Sequence, residues 1–453
     1  MKKIILFLAV TAIAFLSYGN PVDHALEKPN IIIFYADDMG YGDLGCFGNP
    51  NIRTSNIDRL AEEGLKLTSF YVAAPSCTPS RAALLSGRYP IYTLPRNLGP
   101  TSKNGFPANE PIISELLKNA GYKTMAVGKW HLGHATENML PTGRGFDHFY
   151  GLPYSNDMIK PWVNTDVPLY LYVDETPSKV INYDQDSLTI NYTMKALKFI
   201  KNQHNKPFFL YLPYSMPHLP INTIDKFKGK SEGGLYGDVI ETIDWSVGEI
   251  FKTLQALDIE ENTLIIFASD NGPWHNLPGR MLQKGVKPWH QGTAGLLNGS
   301  KGTTYEGGMR VPGIIYWKNH IKGGQISSDI VTTMDIYPTI ASIVGEEIPD
   351  NKELDGYDLL PFLLGKSSSP RKEFFYFRGE KLEAVRKKNW KLRFSGYNFS
   401  DGTMDNSSLE LFDLANDPAE KYNMAEIHPD TVNYLLKLIK EKANKVNADL
   451  NKY

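Results

Sequence analysis

The stretch Pro29-Asn30-Ile31-Ile32-Ile33-Phe34-Tyr35-Ala36-Asp37-Asp38-Met39-Gly40 decides how the chain is organised. β-Branched and aromatic residues follow one another without polar alternation, the pattern of a strand covered on both faces in a parallel sheet. The run then breaks into two adjacent carboxylates and a glycine. The same succession recurs along the chain. Residues 123–127 lead into Gly128-Lys129-Trp130-His131, residues 206–212 (KPFFLYL) into Pro213-Tyr214-Ser215-Met216-Pro217-His218, and residues 263–269 (TLIIFAS) into Asp270-Asn271-Gly272. Ligands in open α/β sheets gather beyond the carboxyl ends of the strands. The polar tips are therefore expected to meet at one edge.

Helical patterns lie between these runs, at residues 55–64, 111–119, 187–202, 238–257 and 334–344, with further strands at 65–73 and 311–317. Strands alternating with helices argue for an α/β domain, placed at residues 28–369. Residues 141–177 and 272–308 read as long irregular loops, rich in Gly, Pro and aromatics, of the kind that wall an active site. From about residue 370 the texture changes. Short strands at hairpin spacing (374–377, 382–386, 390–394, 409–413) precede a Lys-rich amphipathic helix at 429–446. Residues 370–453 are expected to form a small C-terminal α+β subdomain, an antiparallel sheet with one helix.

The 453 residues carry 48 Lys and Arg against 50 Asp and Glu, a net charge of −2. No basic field points to nucleic acid. Met1-Lys2-Lys3, an apolar run at residues 4–16 and Ser17-Tyr18-Gly19 read as a signal peptide over residues 1–19. Export follows, to the periplasm in the first place and to the medium in the second. No later segment is long and apolar enough for a membrane anchor. Cys46 and Cys77 are the two cysteines. A Cys46–Cys77 disulfide is one possible use of them.

Cys77-Thr78-Pro79-Ser80-Arg81, continued by Ala82-Ala83-Leu84-Leu85-Ser86-Gly87-Arg88, holds the chemistry. Thr78 is read as a helix cap, Pro79 suits the first turn, and Gly87 is a stop. Cys77 then lies at a helix N-terminus, where the dipole lowers a thiol pKa and favours an anion. The alternative is a buried structural cysteine beside a surface arginine. Asp37, Asp38 and Asp270 repel one another unless a cation lies between them. With the amide oxygen of Asn271 they form an all-oxygen set suited to Ca²⁺ or Mg²⁺, calcium tolerating irregular geometry better. The alternative is that they are turn residues after strands. Lys129, His131, His218 and Lys301 supply cationic and protonatable groups to the same pocket.

Cys-x-Pro-x-Arg followed by Ser86-Gly87-Arg88 resembles the signature of the type I sulfatases. The likeness extends over nearly the whole chain: Asp37-Asp38, Gly128-Lys129-Trp130-His131-Leu132-Gly133, His218 in Pro-His-x-Pro, Asp270-Asn271-Gly272, Gly299-Ser300-Lys301, and Leu411-Phe412-Asp413-Leu414 with Asp417-Pro418 and Glu420. It is nearest to exported bacterial polysaccharide sulfatases of the arylsulfatase A-like branch. The resemblance implies an alkaline phosphatase-like fold: a large mixed sheet sandwiched by helices, with a smaller C-terminal antiparallel sheet plus helix. It also implies that Cys77 is converted to formylglycine (3-oxoalanine) by a maturation enzyme, its hydrate attacking sulfur.

Carried over, Asp37, Asp38, Asp270, Asn271 and the modified Cys77 bind one calcium ion, and Arg81 and Lys129 position the nucleophile. His131 is the base that frees sulfate. His218 and Lys301 hold the sulfate, His218 being the proton donor to the leaving alcohol. Ser155, in Pro-Tyr-Ser-Asn-Asp, resembles a substrate-side contact of that branch. Asn156 stands where the branch usually has His, which puts the family's substrate preference in doubt here. The implied substrates are sulfated oligosaccharides, from algal polymers such as ulvan or carrageenan or from glycosaminoglycans. Tyr154, Arg96, Trp274, His275, Arg280, Trp289 and His290 are candidate sugar contacts. A phosphatase or phosphonate hydrolase on the same scaffold, and a non-catalytic sugar-binding relative, are the other readings.

Overall fold

The computed structural model describes residues 28–446 apart from 183, 204, 350–352, 395, 399–402 and 406–408. The signal peptide read at residues 1–19 lies outside the described residues. The strands of the main sheet are β1 (Asn30–Ala36), β2 (Leu65–Tyr71), β3 (Lys123–Lys129), β4 (His148–Leu152), β5 (Tyr170–Val173), β6 (Thr176–Val180), β7 (Phe208–Pro213), β8 (Thr263–Ser269), β9 (Arg310–Tyr316), β10 (Gln325–Ser327) and β11 (Val331–Thr332). Their order is β10-β2-β9-β8-β1-β7-β3-β4-β5-β6, with β11 paired to β2. Strands β8, β1, β7, β3 and β4 run parallel, and antiparallel pairs flank them on both sides.

Those parallel strands include every apolar run that ends in titratable residues, and they are contiguous. Ile31 of β1 pairs with Phe209 of β7 on one side and Leu264 of β8 on the other. All the tips therefore leave the sheet at one edge, as Asp37 and Asp38 after β1, Lys129 at the end of β3, His218 beyond β7 and Asp270 after β8.

Alternation along β1 divides its side chains between two cores. Ile31, Ile33 and Tyr35 belong to one, Ile32, Phe34 and Ala36 to the other. The helices are α1 (Ser55–Glu62), α2 (Cys77–Ser86), α3 (Ile113–Asn119), α4 (Leu188–Gln203), α5 (Gly234–Ala256), α6 (Glu306–Met309), α7 (Ile336–Val344), α8 (Leu360–Leu363) and α9 (Pro429–Val446). Helices α2, α3 and α7 cover the first face, and α1, α4 and α5 the second. Burial on both faces explains why the central strands read as continuous apolar runs.

A separate antiparallel sheet is built from β12 (Glu373–Arg378), β13 (Lys381–Lys387), β14 (Trp390–Arg393) and β17 (Glu410–Asp413), and β15 (Gly396–Asn398) pairs with β16 (Thr403–Asp405). Leu435 and Ile439 of α9 pack with Val385 and Leu392 of this sheet, in the same core as the α2 face. The region 141–177, read as irregular, instead contributes β4, β5 and part of β6 to the main sheet. Its strands are short and interrupted by Gly, Pro and turn residues, so no period-two signal builds up.

Candidate active site

Helix α2 begins at Cys77 and stops at Gly87, whose φ of 70° is the left-handed stop expected of a glycine. Its N-cap is Ser76, not Thr78, and Ser76 makes no side-chain cap bond. Thr78 is used differently: its hydroxyl donates to the His131 carbonyl at 3.0 Å, while its N–H is held by Asn97 at 3.0 Å. This ties the start of α2 to the segment after β3.

The tip residues converge on Cys77. Its Sγ lies 3.5 Å from Oδ1 of Asp37 and 4.0 Å from Oδ1 of Asp38. Lys129 donates to Oδ2 of Asp37 at 2.6 Å and to the Ser155 hydroxyl at 3.2 Å. Lys301 reaches both oxygens of Asp38 at 2.8 Å, and Nε2 of His218 is 3.5 Å from the same carboxylate. Arg81 directs Nε and Nη2 to Oδ2 of Asp270, at 3.0 and 2.7 Å, and Nη1 to the Lys129 carbonyl at 2.9 Å. Oδ1 of Asp270 accepts the N–H of Asp38 at 3.1 Å. Asp37, Asp38, Cys77, Arg81, Lys129, His131, Ser155, His218, Asp270, Asn271 and Lys301 are all buried. The catalytic and metal candidates named from the sequence, together with Ser155, are thus brought together, whereas the candidate sugar contacts are not all among them.

The backbone is bent to achieve this. Asp38 and His131 have φ values of 65° and 60°, in the left-handed region that non-glycine residues seldom occupy. At Gly128 a Cβ would fall 1.9 Å from the Pro213 carbonyl oxygen. Only glycine lets β3 and β7 approach closely enough to bring Lys129 under Asp37.

Electrostatics set the protonation states. Burial pushes the Cys77 thiol well above its ordinary range, and the charge of Asp270 adds to the effect. The expected lowering at a helix N-terminus is therefore overturned: desolvation of the buried thiol, helped by Asp270, outweighs the dipole and the nearby lysines. Both cysteines are free, so no Cys46–Cys77 disulfide forms. Burial would raise Asp37, but Lys129, His218 and Arg81 together hold it below the usual carboxylate range. His131 is pushed well down by burial and by Lys129, which keeps its ring neutral. Its Nε2 bonds the Leu98 carbonyl at 2.8 Å, and its Nδ1 is buried without a partner.

Asp37, Asp38, Cys77 and His218 each bring a donor atom within 4.8 Å of one another. Asn271 Nδ2 is 2.7 Å from Oδ1 of Asp38, and its Oδ1 is buried without a hydrogen-bond partner. Two carboxylates on so short a radius, with an unpartnered amide oxygen on the neighbouring Asn271, are hard oxygen donors of the kind a dication takes.

The candidate sugar contacts divide. Trp274 lines the site, with its ring 4.8 Å from Nζ of Lys301 and 5.6 Å from the His218 ring. Arg280 lies over the same indole at 5.6 Å and faces Asp157 at 3.8 Å. Trp289 is exposed, and Arg96 pairs with Glu380 at the surface. Tyr154 donates its hydroxyl to the Pro168 carbonyl, and His275 is engaged by the Gly292 carbonyl. Asn156 points away from the cluster and binds Gln185 Oε1 at 3.1 Å, the Pro220 carbonyl at 3.2 Å and the His218 carbonyl at 3.4 Å. The contributions of Thr78, Asn97 and Leu98 were not anticipated, since neither charge nor periodicity marks them.

Comparison with known proteins agrees with this geometry. The sulfatase family model matches residues 29–346, and the model for the N-sulphoglucosamine sulphohydrolase C-terminal region matches residues 299–449. Arylsulfatase A of Homo sapiens is 37% identical over 438 residues, covering 88% of this chain and 83% of that protein. N-acetylgalactosamine-6-sulfatase of Mus musculus is 40% identical over 403 residues, covering 84% and 74% respectively. The structure of Ps i-CgsB in complex with k-i-k-neocarrahexaose superposes with a TM-score of 0.76 at 31% identity, covering 92% of this chain and 93% of that one. The mixed sheet between helical layers is the alkaline phosphatase-like fold these proteins share. A buried cysteine ringed by carboxylates and cations, on a chain so closely matched end to end, makes this protein a member of the type I sulfatase family and a sulfuric ester hydrolase.

Proposed function

We propose that the protein removes sulfate from sulfated carbohydrates, using formylglycine formed from Cys77 and one calcium ion. The observation that carries this reading is the placement of Cys77 within reach of Asp37 and Asp38, with Lys129, Lys301 and His218 on the same carboxylates. The names of the mouse relative and of the carrageenan-oligosaccharide complex support a sugar substrate. Asp37, Asp38, Asp270, Asn271 and residue 77 would hold the ion, Asp270 being braced by Arg81. When present, the two groups supply a hydroxyl nucleophile at position 77 and a positive charge that polarises the sulfuryl oxygens.

The chain's own residues do the rest. Lys129, with His218 and Arg81, holds Asp37 below the usual carboxylate range, and Arg81 fixes Asp270 in place. Lys301, on a short loop over the site, pairs with the sulfuryl group's negative charge. Nδ1 of His218 is committed to the Leu219 carbonyl at 2.6 Å, which leaves Nε2 as the proton carrier facing the site. The ester S–O bond breaks with its electron pair on the leaving oxygen, and Nε2–H protonates that oxygen. His131, neutral and with Nδ1 free, is suited to accept a proton. Ser155 steadies the Lys129 ammonium.

We further assign residues 28–369 to the catalytic domain and 370–453 to a C-terminal subdomain. Export is part of the same proposal. Among the described residues no helix is long and apolar enough to cross a membrane. The test is sulfate release from a panel of sulfated oligosaccharides beside matched phosphate esters, with mass spectrometry of the peptide bearing residue 77. Phosphate release without sulfate release would move the activity to phosphoryl transfer.

A further inference from the structure

The loop that presents Lys301 is held from two sides. On the catalytic side, the N–H of Lys301 donates to the Pro273 carbonyl at 2.9 Å, and that of Gly302 to the Pro75 carbonyl at 2.8 Å. Pro75 is two residues before Cys77, so the loop and the nucleophile share an anchor. On the other side the C-terminal subdomain holds it, while Tyr71 of β2 also donates to Glu306 at 2.5 Å and Arg310 of β9 pairs with Glu306 at 3.6 Å. The Thr304 hydroxyl donates to Glu383 of β13 at 2.9 Å. Lys391 of β14 donates to the Thr304 carbonyl at 2.9 Å and to Glu306 at 3.0 Å, and is 2.7 Å from Glu420. Glu420 in turn accepts the N–H of Glu306 at 2.7 Å. Lys391 and Glu306 are completely buried, and so, nearly, are Glu420, Thr304 and Glu383.

A buried ion network of this kind adds little net stability over apolar packing of the same shape, since desolvation consumes much of the Coulomb gain. What it does supply is direction. One ammonium on a backbone carbonyl and two carboxylates ties Thr304 and Glu306, three and five residues beyond Lys301, to β14. We propose that Lys391, with Glu306 and Glu420, is a positioning set: it makes the C-terminal sheet part of the catalytic apparatus by setting where the Lys301 ammonium stands over Asp38. This rests on the sulfate-ester reading of the site, in which Lys301 binds the sulfuryl group.

The test uses the whole protein with three readouts: kcat and KM on 4-nitrophenyl sulfate, thermal unfolding, and backbone hydrogen exchange. Lys391→Met is made together with Glu420→Gln, so that no unpaired charge is left inside. Lys391→Arg serves as the conservative variant, and each is repeated on a Lys301→Ala background. The expected result is a folded double variant whose amides at Lys301 and Gly302 exchange at least tenfold faster while those of β1 do not. Its kcat/KM falls roughly 10–100-fold, Lys391→Arg recovers part of the loss, and the loss shrinks to less than threefold once Lys301 is absent. Unchanged exchange at Lys301 and Gly302 would overturn the proposal. So would an equal loss of kcat/KM with and without Lys301. If wild-type protein released no sulfate while the exchange result held, the substrate reading would fail and the positioning claim would stand.

Discussion

Arg81 reaches across from α2 to set Nε and Nη2 3.0 and 2.7 Å from a single oxygen of Asp270, with both side chains fully buried. The same guanidinium bonds the Lys129 carbonyl, so one side chain joins the nucleophile helix, β8 and β3. Removing one partner of such a pair leaves an uncompensated buried charge. Arg81→Met is therefore expected to cost roughly 3–5 kcal/mol in urea unfolding. Arg81→Lys retains the charge but not the planar fork, and should recover only part of that stability and little of the turnover. Full recovery by lysine would show that charge alone matters here.

Cys77 is 2% exposed and replaceable by a small side chain without opening a large cavity. Cys77→Ala is expected to unfold within about 1 °C of wild type, which corresponds to roughly 1 kcal/mol for a chain of this length, and to release no sulfate. Because burial pushes the unconverted thiol up, protein made without the maturation enzyme should also resist alkylation by iodoacetamide at neutral pH in the folded state. Turnover by the alanine variant would remove residue 77 from the chemistry.

Much of this site was legible in the sequence because its residues are strand tips. Asp37-Asp38, Lys129, His218 and Asp270-Asn271 each follow a run whose unbroken apolarity marks a central parallel strand, and central parallel strands end at a common edge. Cys77 came from a motif, not from periodicity. The Leu98 carbonyl that holds His131 and the Asn97 side-chain oxygen that accepts the Thr78 N–H are not legible, because neither carries a compositional mark. The thiol's protonation was misjudged for a related reason. The helix position was visible, but the carboxylates packed around it are contributed by residues 39, 40 and 193 positions away along the chain (from Cys77 to Asp38, to Asp37 and to Asp270). Asn156 read as a change on the substrate side, whereas its amide is spent on the His218 and Pro220 carbonyls.

Asp37, Asp38, Cys77 and His218 bring donor atoms within 4.8 Å of one another, and Asn271, beside Asp38, has an unpartnered Oδ1. A ligand that binds only the folded state raises stability by about 2.7 kcal/mol at one hundred times its dissociation constant. Dialysis against a strong calcium chelator is accordingly expected to abolish activity and lower the melting temperature by several degrees, and calcium should restore both. Asp38→Asn should show the lower melting temperature from the outset and respond little to either treatment. A wild-type melting curve indifferent to prolonged chelation and to added calcium would count against the ion.

Asn156 lies behind His218 and not in front of it. Asn156→Ala leaves the His218 and Pro220 carbonyls and Gln185 short of a donor, at a cost of roughly 1–3 kcal/mol. The imidazole's aim at the leaving oxygen should loosen with them. A drop in kcat of about tenfold on an alkyl sugar sulfate, with KM little changed, is expected. The drop should be much smaller on 4-nitrophenyl sulfate, whose leaving group needs no proton. Equal losses on the two esters would separate Asn156 from proton transfer.

Glu306 and Glu420 share the single ammonium of Lys391, and they divide it unequally. Burial would raise Glu306, but Lys391, Arg310 and Arg386 outweigh it and hold the carboxylate at about 2. Burial and the Glu306 charge raise Glu420 to about 7 against the pull of Lys391. An acid raised in the folded state binds its proton more tightly there than in the unfolded chain. Its contribution to stability is complete below the ordinary value of about 4.3 and is lost as pH rises through about 7. Glu306 works in the opposite sense: its contribution is present above about 4.3 and disappears only as pH falls towards about 2, outside the neutral range. Of these two carboxylates it is therefore Glu420 that contributes to the slope between pH 5 and 8. Replacing it by glutamine, which keeps an oxygen for the Glu306 N–H, should flatten the stability curve over that window by about 1–3 kcal/mol relative to wild type. Urea unfolding at half-unit intervals of pH measures this directly. Parallel curves for Glu420→Gln and wild type would mean that Glu420 is already ionised at pH 5 and that Lys391 serves both carboxylates alike.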